Sequence, residues 1–449
     1  MARGRVALGA VLSGRQATGG RRQQYPPDSL AWLVWGLGAC LYLIAFYQRV
    51  APAVITRELS RDFSLSAAGL GNLSAFYFYS YVAVQIPTGL LADRWGPRKV
   101  LSLGAVLTAA GTLVFALAPS VAWANGGRLA IGAAAGVAFV SMLTLASHWM
   151  PSRRFALVSG IALFMGVVGA TLAGVPLRAA VDAFGWRAVM VASAALTALV
   201  AVAIWLVARD DPRERGYASY YPDAHDDAKG ASMGALLREA LSYRNAWLVL
   251  FAPGAFSGIV LTFAGLWGVP FLVTNHGFST AQAAATASAM LVSWSVGSIA
   301  YGPLSERMGR RKPLLSGGLA VTMLLWAIVL FVPGVGGAVL VALLIAVGLA
   351  SGVFILTFAF AKESVPAHLG GTASGIANMG VMLGGMIMQP LVGFILDRHW
   401  TGTLVEGVRV YDLEAYRWGF AAMLAWGALS AALFRAAKET FCRPAALRV

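Results

Sequence analysis

The sequence predicts an all-α membrane protein, with twelve transmembrane helices in two pseudo-symmetric six-helix bundles. Composition is the first reason. Of 449 residues only 12% are charged and 59% are hydrophobic, whereas a soluble domain has about 25% and about half. The 51 glycines and 14 tryptophans suit close-packed membrane helices with aromatic residues at the interfaces. The second reason is a set of twelve apolar stretches. The third is an internal repeat.

A helix needs about 20 apolar residues to cross the hydrocarbon core. Stretches of that kind run over 30–55, 66–90, 99–119, 124–149, 156–180, 187–208, 245–273, 281–303, 313–333, 337–361, 371–396 and 418–436. Bends are expected at Pro87, Pro176 and Pro390. The longest polar break, Asp210–Tyr243, separates six stretches from six, and Met233–Leu241 within it reads as a short amphipathic helix. The predicted organisation is therefore a basic tail (1–28), an N-terminal bundle (29–208), a central loop (209–243), a C-terminal bundle (244–436) and a second tail (437–449).

With the N-terminus inside, 25 of the 34 Lys and Arg fall on the inner side and 6 on the outer. That bias predicts cytoplasmic N- and C-termini. It also accounts for the net charge of +15 without a nucleic-acid partner. Cys40 lies in an apolar stretch and Cys442 in a basic tail, so no disulfide is expected.

The two halves repeat. Gly89–Lys99 (GLLADRWGPRK) recurs as Gly302–Lys312 (GPLSERMGRRK) at an offset of 213, and Ser159–Ala162 recurs as Ser374–Ala377 at 215. Pro151 and Asp182 find Pro366 and Asp397 at that same offset of 215. Two six-helix halves related in parallel place a substrate site between them near the midplane.

Gly89–Lys99 resembles the signature loop of the major facilitator superfamily between its second and third helices, and Gly302–Lys312 resembles the degenerate copy between the eighth and ninth. Arg128-Leu-Ala-Ile-Gly132, continuing to Gly136, is similar to the family's fourth-helix motif. The resemblance covers residues 30 to 436 and implies the major facilitator fold. It also implies that the loops gate the inner side through Gly89, Asp93, Arg94, Gly96, Arg98, Glu306, Arg307 and Arg311. Physically, Asp93 and Glu306 begin inner turns, where a carboxylate can bridge to a neighbouring helix N-terminus or to Arg98 or Arg311.

A charge within hydrocarbon costs several kcal/mol, so each one is a candidate for function. None of the 19 acidic residues lies mid-span, but Arg49, Arg128 and Arg178 lie within spans. Arginines without carboxylates attract anions, and the planar guanidinium matches a carboxylate or phosphate. Arg49, in Phe46-Tyr47-Gln48-Arg49, is the leading substrate contact; the bland alternative is snorkelling to the outer interface. The segment resembles the organic-anion and phosphate-ester branches of the superfamily, as does Phe184-Gly-Trp-Arg187. Gln48 stands where several organic-anion symporters carry a proton-coupling Asp, which weakens that coupling route. Arg128 reads either as a coupling residue or as a structural arginine bonded to backbone carbonyls. Arg178 reads as a structural i,i+4 pair with Asp182. His148 and Glu363, repeat-equivalent and titratable, are further coupling candidates. Tyr47, Tyr77, Tyr81, Trp267, Asn378 and Gln389 are the remaining pocket candidates. Glycines at 166, 169, 174, 380, 384 and 385 are spaced for close helix contact.

No zinc-protease, paired-cysteine or phosphate-loop motif occurs, so no enzyme, cofactor or metal is expected. The predicted function is secondary active transport of a small organic anion by alternating access, driven by an ion gradient (proton or sodium) or a solute gradient. The alternative is a carrier of neutral or zwitterionic solutes such as small peptides, amino acids or drug-like compounds. A monomer in a bacterial inner membrane is expected.

Overall fold

The computed structural model describes residues 24–220 and 233–443. Most of the first tail therefore lies outside the described residues. The chain is almost wholly helical, with α1 Asp28–Val50, α2 Ala67–Trp95, α3 Pro97–Ala116, α4 Val121–Trp149, α5 Phe155–Leu172 continued by Val175–Phe184, and α6 Trp186–Val207. The second half has α7 Arg244–His276, α8 Thr280–Met308, α9 Lys312–Phe331, α10 Gly337–Glu363, α11 Gly370–Arg398 and α12 Leu413–Ala436. Eleven of the twelve expected stretches are long and apolar enough, among the described residues, to cross a membrane. The other, α2, is a continuous 29-residue helix, about 43 Å long at 1.5 Å per residue.

The expected bends differ in kind. α2 and α11 run unbroken through Pro87 and Pro390. At Pro176 the chain stops after Leu172 and restarts at Val175, with proline in the first helical turn where its missing N–H costs nothing. A feature without a sequence signal is a π-turn at Phe263–Trp267 inside α7. A two-stranded ribbon, Leu404–Val405 against Val408–Arg409, also joins α11 to α12 unannounced. The amphipathic helix of the central break is present as Met233–Ser242. Both cysteines are free.

Both described termini emerge at one end, here the tail end; the opposite end is the far end. α2 packs along α11, and α5 meets α8, so these pairs join the halves. The apolar core shows how far the joining extends. One buried cluster spans both halves and includes Ala45, Tyr81 and Ala135 with Ile259, Val347 and Val381. Toward the tail end it divides. Tyr42 and Ala138 belong to a cluster made only from the N-terminal half. Phe256, Val353 and Ala377 belong to one made from the C-terminal half and the helix before it. The halves thus share a core at the far end and keep separate cores at the tail end.

Glycine permits the closest helix approaches. At Gly132 of α4 a methyl group would run into the carbonyl oxygen of Tyr77 on α2. The expected contacts at Gly166, Gly169, Gly380, Gly384 and Gly385 are likewise close packing against neighbouring helices, and Gly174 meets Ser288 and Ala284 of the other half. Gly132→Leu should therefore lower thermal stability by about 1–3 kcal/mol or more through overpacking. Gly126→Leu, where nothing lies within 4 Å, should leave it unchanged. Melting of the purified variants followed by size-exclusion chromatography checks the pair.

Candidate functional site

The site begins on α1, whose last turn carries Arg49 inward, leaving it only 4% exposed. Its guanidinium carbon stands 4.2 Å from the centre of the Phe46 ring, 5.3 Å from Tyr81 and 5.5 Å from Tyr77. Tyr77 and Tyr81 are one turn apart on α2 and stack with centroids 6.0 Å apart. Arg49 Nε donates to Tyr77 Oη at 3.4 Å, and that hydroxyl donates to the Ala45 carbonyl at 3.3 Å. Among the described residues Arg49 has no carboxylate within ion-pair distance. A buried cation held only by aromatic faces and one hydroxyl keeps donors available for an anion.

Arg128 has a different environment. It reaches from α4 beneath Tyr77, 5.1 Å from the ring centre, and donates from Nη1 to the Gln48 carbonyl (2.7 Å) and from Nη2 to the Ser74 carbonyl (3.4 Å). Its terminal nitrogens tie α1 and α2 to α4, while its Nε is buried without a hydrogen-bond partner among the described residues. Gln48 itself turns away and donates to Thr112 Oγ1 at 3.0 Å.

Tyr81 connects this cage to the other half. Asn378 of α11 donates to Tyr81 Oη at 3.4 Å and to Gln85 Oε1 at 2.9 Å. Asn378 lies one residue past Ala377, in the C-terminal half's own core, and three before Val381, in the shared core. The cage therefore sits at the level where the shared core divides into the two half-cores.

Other candidates are not drawn into this cage. Tyr47 Oη lies 3.2 Å from Ser193 Oγ on α6. Trp267 Nε1 donates to the Gln389 carbonyl (3.0 Å) and Gln389 Nε2 to the Leu261 carbonyl (2.9 Å), bonds within the C-terminal half that brace the π-turn of α7. Trp267 also lines a far-end pocket of about 470 Å³ with Thr56, Arg178 and Tyr416. Gln85 and Phe46 belong to the cage although neither is among the pocket residues expected from the sequence. Gln85 lies one turn beyond Tyr81 and Phe46 three residues, about one turn, before Arg49, so helical spacing alone points to both.

The sequence profile of the Major Facilitator Superfamily matches residues 34–389 and again 269–440. The chain belongs to the major facilitator superfamily. It is accordingly an integral, multi-pass membrane protein. It is 26% identical over 422 residues to a probable sulfoacetate transporter of Cupriavidus necator, covering 89% of this chain and 92% of the relative. It is 26% identical over 360 residues to a gentisate transporter of Corynebacterium glutamicum, covering 78% of each. Among solved structures it matches a bacterial homolog of the human lysosomal transporter Spinster, inward-facing and unoccupied, with a TM-score of 0.72 at 20% identity over 91% of this chain and 97% of the other.

The superfamily's signature loops are built symmetrically by residues that the motif does not contain. Arg98 N–H donates to Asp210 at 2.6 Å, and the repeat-equivalent Arg311 N–H donates to Glu439 at 3.0 Å. Each carboxylate follows the sixth helix of its own half and meets the N-terminus of the third, where the helix dipole favours negative charge. Gly96, at φ +82°, leaves room for Asp210. Burial pushes the Asp210 carboxyl above its ordinary range, opposed by the Arg98 backbone hydrogen bond. The side chains of Asp93 and Arg94, and the surroundings of Gly89, lie outside what is described. Arg98 spends its guanidinium on the Trp205 carbonyl (2.7 Å). Arg311 pairs with Glu363 (2.8 Å) and Ser305 (2.8 Å), while Glu306 and Arg307 are exposed. His148, the repeat-equivalent of Glu363, faces Asp211 at 3.3 Å instead. Arg178 holds Asp182 and also Glu58 (2.7 Å).

These environments predict opposite costs for the two central arginines. Arg128→Met should destabilise the protein by about 1–3 kcal/mol, because buried carbonyls lose their donors. Arg49→Met should be neutral or stabilising, because an unpaired buried charge is removed. Thermal melts of the two variants in one detergent check the contrast.

Proposed function

We propose that the protein is a secondary active transporter that moves a small organic anion across a bacterial inner membrane by alternating access, with both termini cytoplasmic. The observation that carries this reading is Arg49, a buried guanidinium with no carboxylate partner among the described residues, at the level where the shared core divides. A charge in that position is costly until an anion neutralises it, and its fork suits a carboxylate or sulfonate. The relatives named for sulfoacetate and gentisate transport support the same class. Tyr77, Tyr81, Asn378 and Gln85 would orient the anion beneath Arg49. Tyr47, Trp267 and Gln389 would act one layer away. The two signature loops would act as the inner gate, and His148 and Glu363 as proton carriers at its edge. Energy would come from a proton, sodium or solute gradient, in a monomer. No further cofactor is invoked.

A thermal-shift screen of the purified protein with sulfoacetate, gentisate, tartrate, phosphate esters, a dipeptide and neutral controls tests the reading. A ligand at 100 times its Kd adds about 2.7 kcal/mol. Anions alone should raise Tm, and Arg49→Gln should abolish the shift. Shifts confined to neutral or zwitterionic compounds and retained in Arg49→Gln would replace the anion reading with its alternative.

A further inference from the structure

We propose that Asp397 is the latch that holds the far end closed. It is a positioning residue of the transport cycle, whose carboxylate must leave the N-terminus of α2 before the far end can open. The inference rests on the alternating-access reading above and adds a far-end residue to it.

Asp397 lies in the last turn of α11. There its own helix presents bare carbonyls, and a negative charge is disfavoured by the helix dipole. The charge is met partly across the interface, by two backbone amides, and partly by Tyr411 and Arg409 of its own half. Ala67 N–H and Ala68 N–H, at the start of α2 in the other half, donate to Asp397 Oδ1 (3.2 Å) and Oδ2 (2.9 Å). Tyr411 Oη donates to Oδ1 at 2.6 Å and accepts from Ala67 N–H at 3.1 Å. Arg409 approaches to 3.3 Å. One turn earlier, a methyl group on Gly393 would strike the Ala67 carbonyl, so glycine is what allows α11 this close.

A second pair, Arg57 with Glu406, also crosses the halves at this end, but its side chains are 59% and 71% exposed. Such a surface pair contributes little. Asp182, the repeat-equivalent of Asp397, is held by Arg178 within its own half. The latch thus exists on only one of two symmetry-related helices. At the tail end the corresponding charged contacts, Arg98 with Asp210 and Arg311 with Glu363 and Glu439, each stay within one half. Separation of the far end would leave Asp397 with only Tyr411 and Arg409 of its own half, against the negative end of its own helix, and leave two amide donors on α2 without their acceptor.

The test is a pair of spin-label distances in the full-length protein in detergent, with Cys40→Ala and Cys442→Ala as background. Ser120→Cys with Val332→Cys reports the far end. Arg153→Cys with Lys362→Cys reports the tail end. Asp397→Asn should raise the ratio of far-end-open to far-end-closed molecules roughly 10-fold or more, since charge-assisted hydrogen bonds are lost. The tail-end distance should shorten in step. Asp182→Asn should match the parent at both ends. An unchanged far-end distribution in Asp397→Asn would overturn the proposal. So would widening at both ends together, which would mark a loosened fold rather than a released latch. No anion enters this readout, so a failed ligand screen and a failed latch are separately recognisable.

Discussion

A buried positive charge with no negative partner among the described residues is the constraint around which the molecule is arranged. In hydrocarbon such a charge is tolerated only where water, protein dipoles or a ligand can reach it. Arg49 meets that condition through aromatic faces and a single hydroxyl, at the level where the two half-cores part. Arg128, a few ångströms away beneath the same tyrosine, meets it through backbone carbonyls. Two arginines of the same chemical type therefore have different surroundings. One ties its terminal nitrogens to helix carbonyls and leaves Nε without a hydrogen-bond partner among the described residues; the other bonds a single hydroxyl through Nε.

The division of the hydrophobic core places this site. Among the described residues, one buried apolar cluster runs through both halves at the far end, whereas the buried clusters toward the tail end each belong to one half. A structure of this kind is asymmetric in the membrane direction even though its halves are pseudo-symmetric in sequence. Among the described residues the carboxylates follow a similar division. Far-end carboxylates cross the interface at Asp397, whereas tail-end carboxylates brace their own half at Asp210, Glu363 and Glu439. Rocking one half against the other would exchange one set of contacts while leaving the other intact.

The capping of the third and ninth helices shows how a repeat can survive in structure after fading in sequence. Asp210 and Glu439 differ in residue type and stand 229 apart, not 213 or 215. No offset search would pair them. Yet both satisfy the same need, the unpaired N–H groups that open a helix, at repeat-equivalent arginines. What persists is the physical requirement at the helix N-terminus rather than the letters that meet it.

Composition, hydropathy and the loop repeat were enough to determine the helical membrane architecture, the twofold organisation and the three arginines within spans. Those properties follow from the solvent: hydrocarbon demands apolar helices and penalises each buried charge wherever it falls in the chain. Arg49, Tyr77, Tyr81 and Asn378 were legible as candidates because polar groups in apolar runs stand out. Which of them meet was not legible, since Tyr47 and Tyr77 are equally aromatic and only helix rotation sends one to Ser193 and the other to Arg49. The partners of Arg98, Arg311 and Asp397, and the π-turn in α7, were likewise decided by tertiary structure alone. Each depends on which helix end is brought against which side chain, and pairwise packing across hundreds of residues leaves no local trace in the sequence.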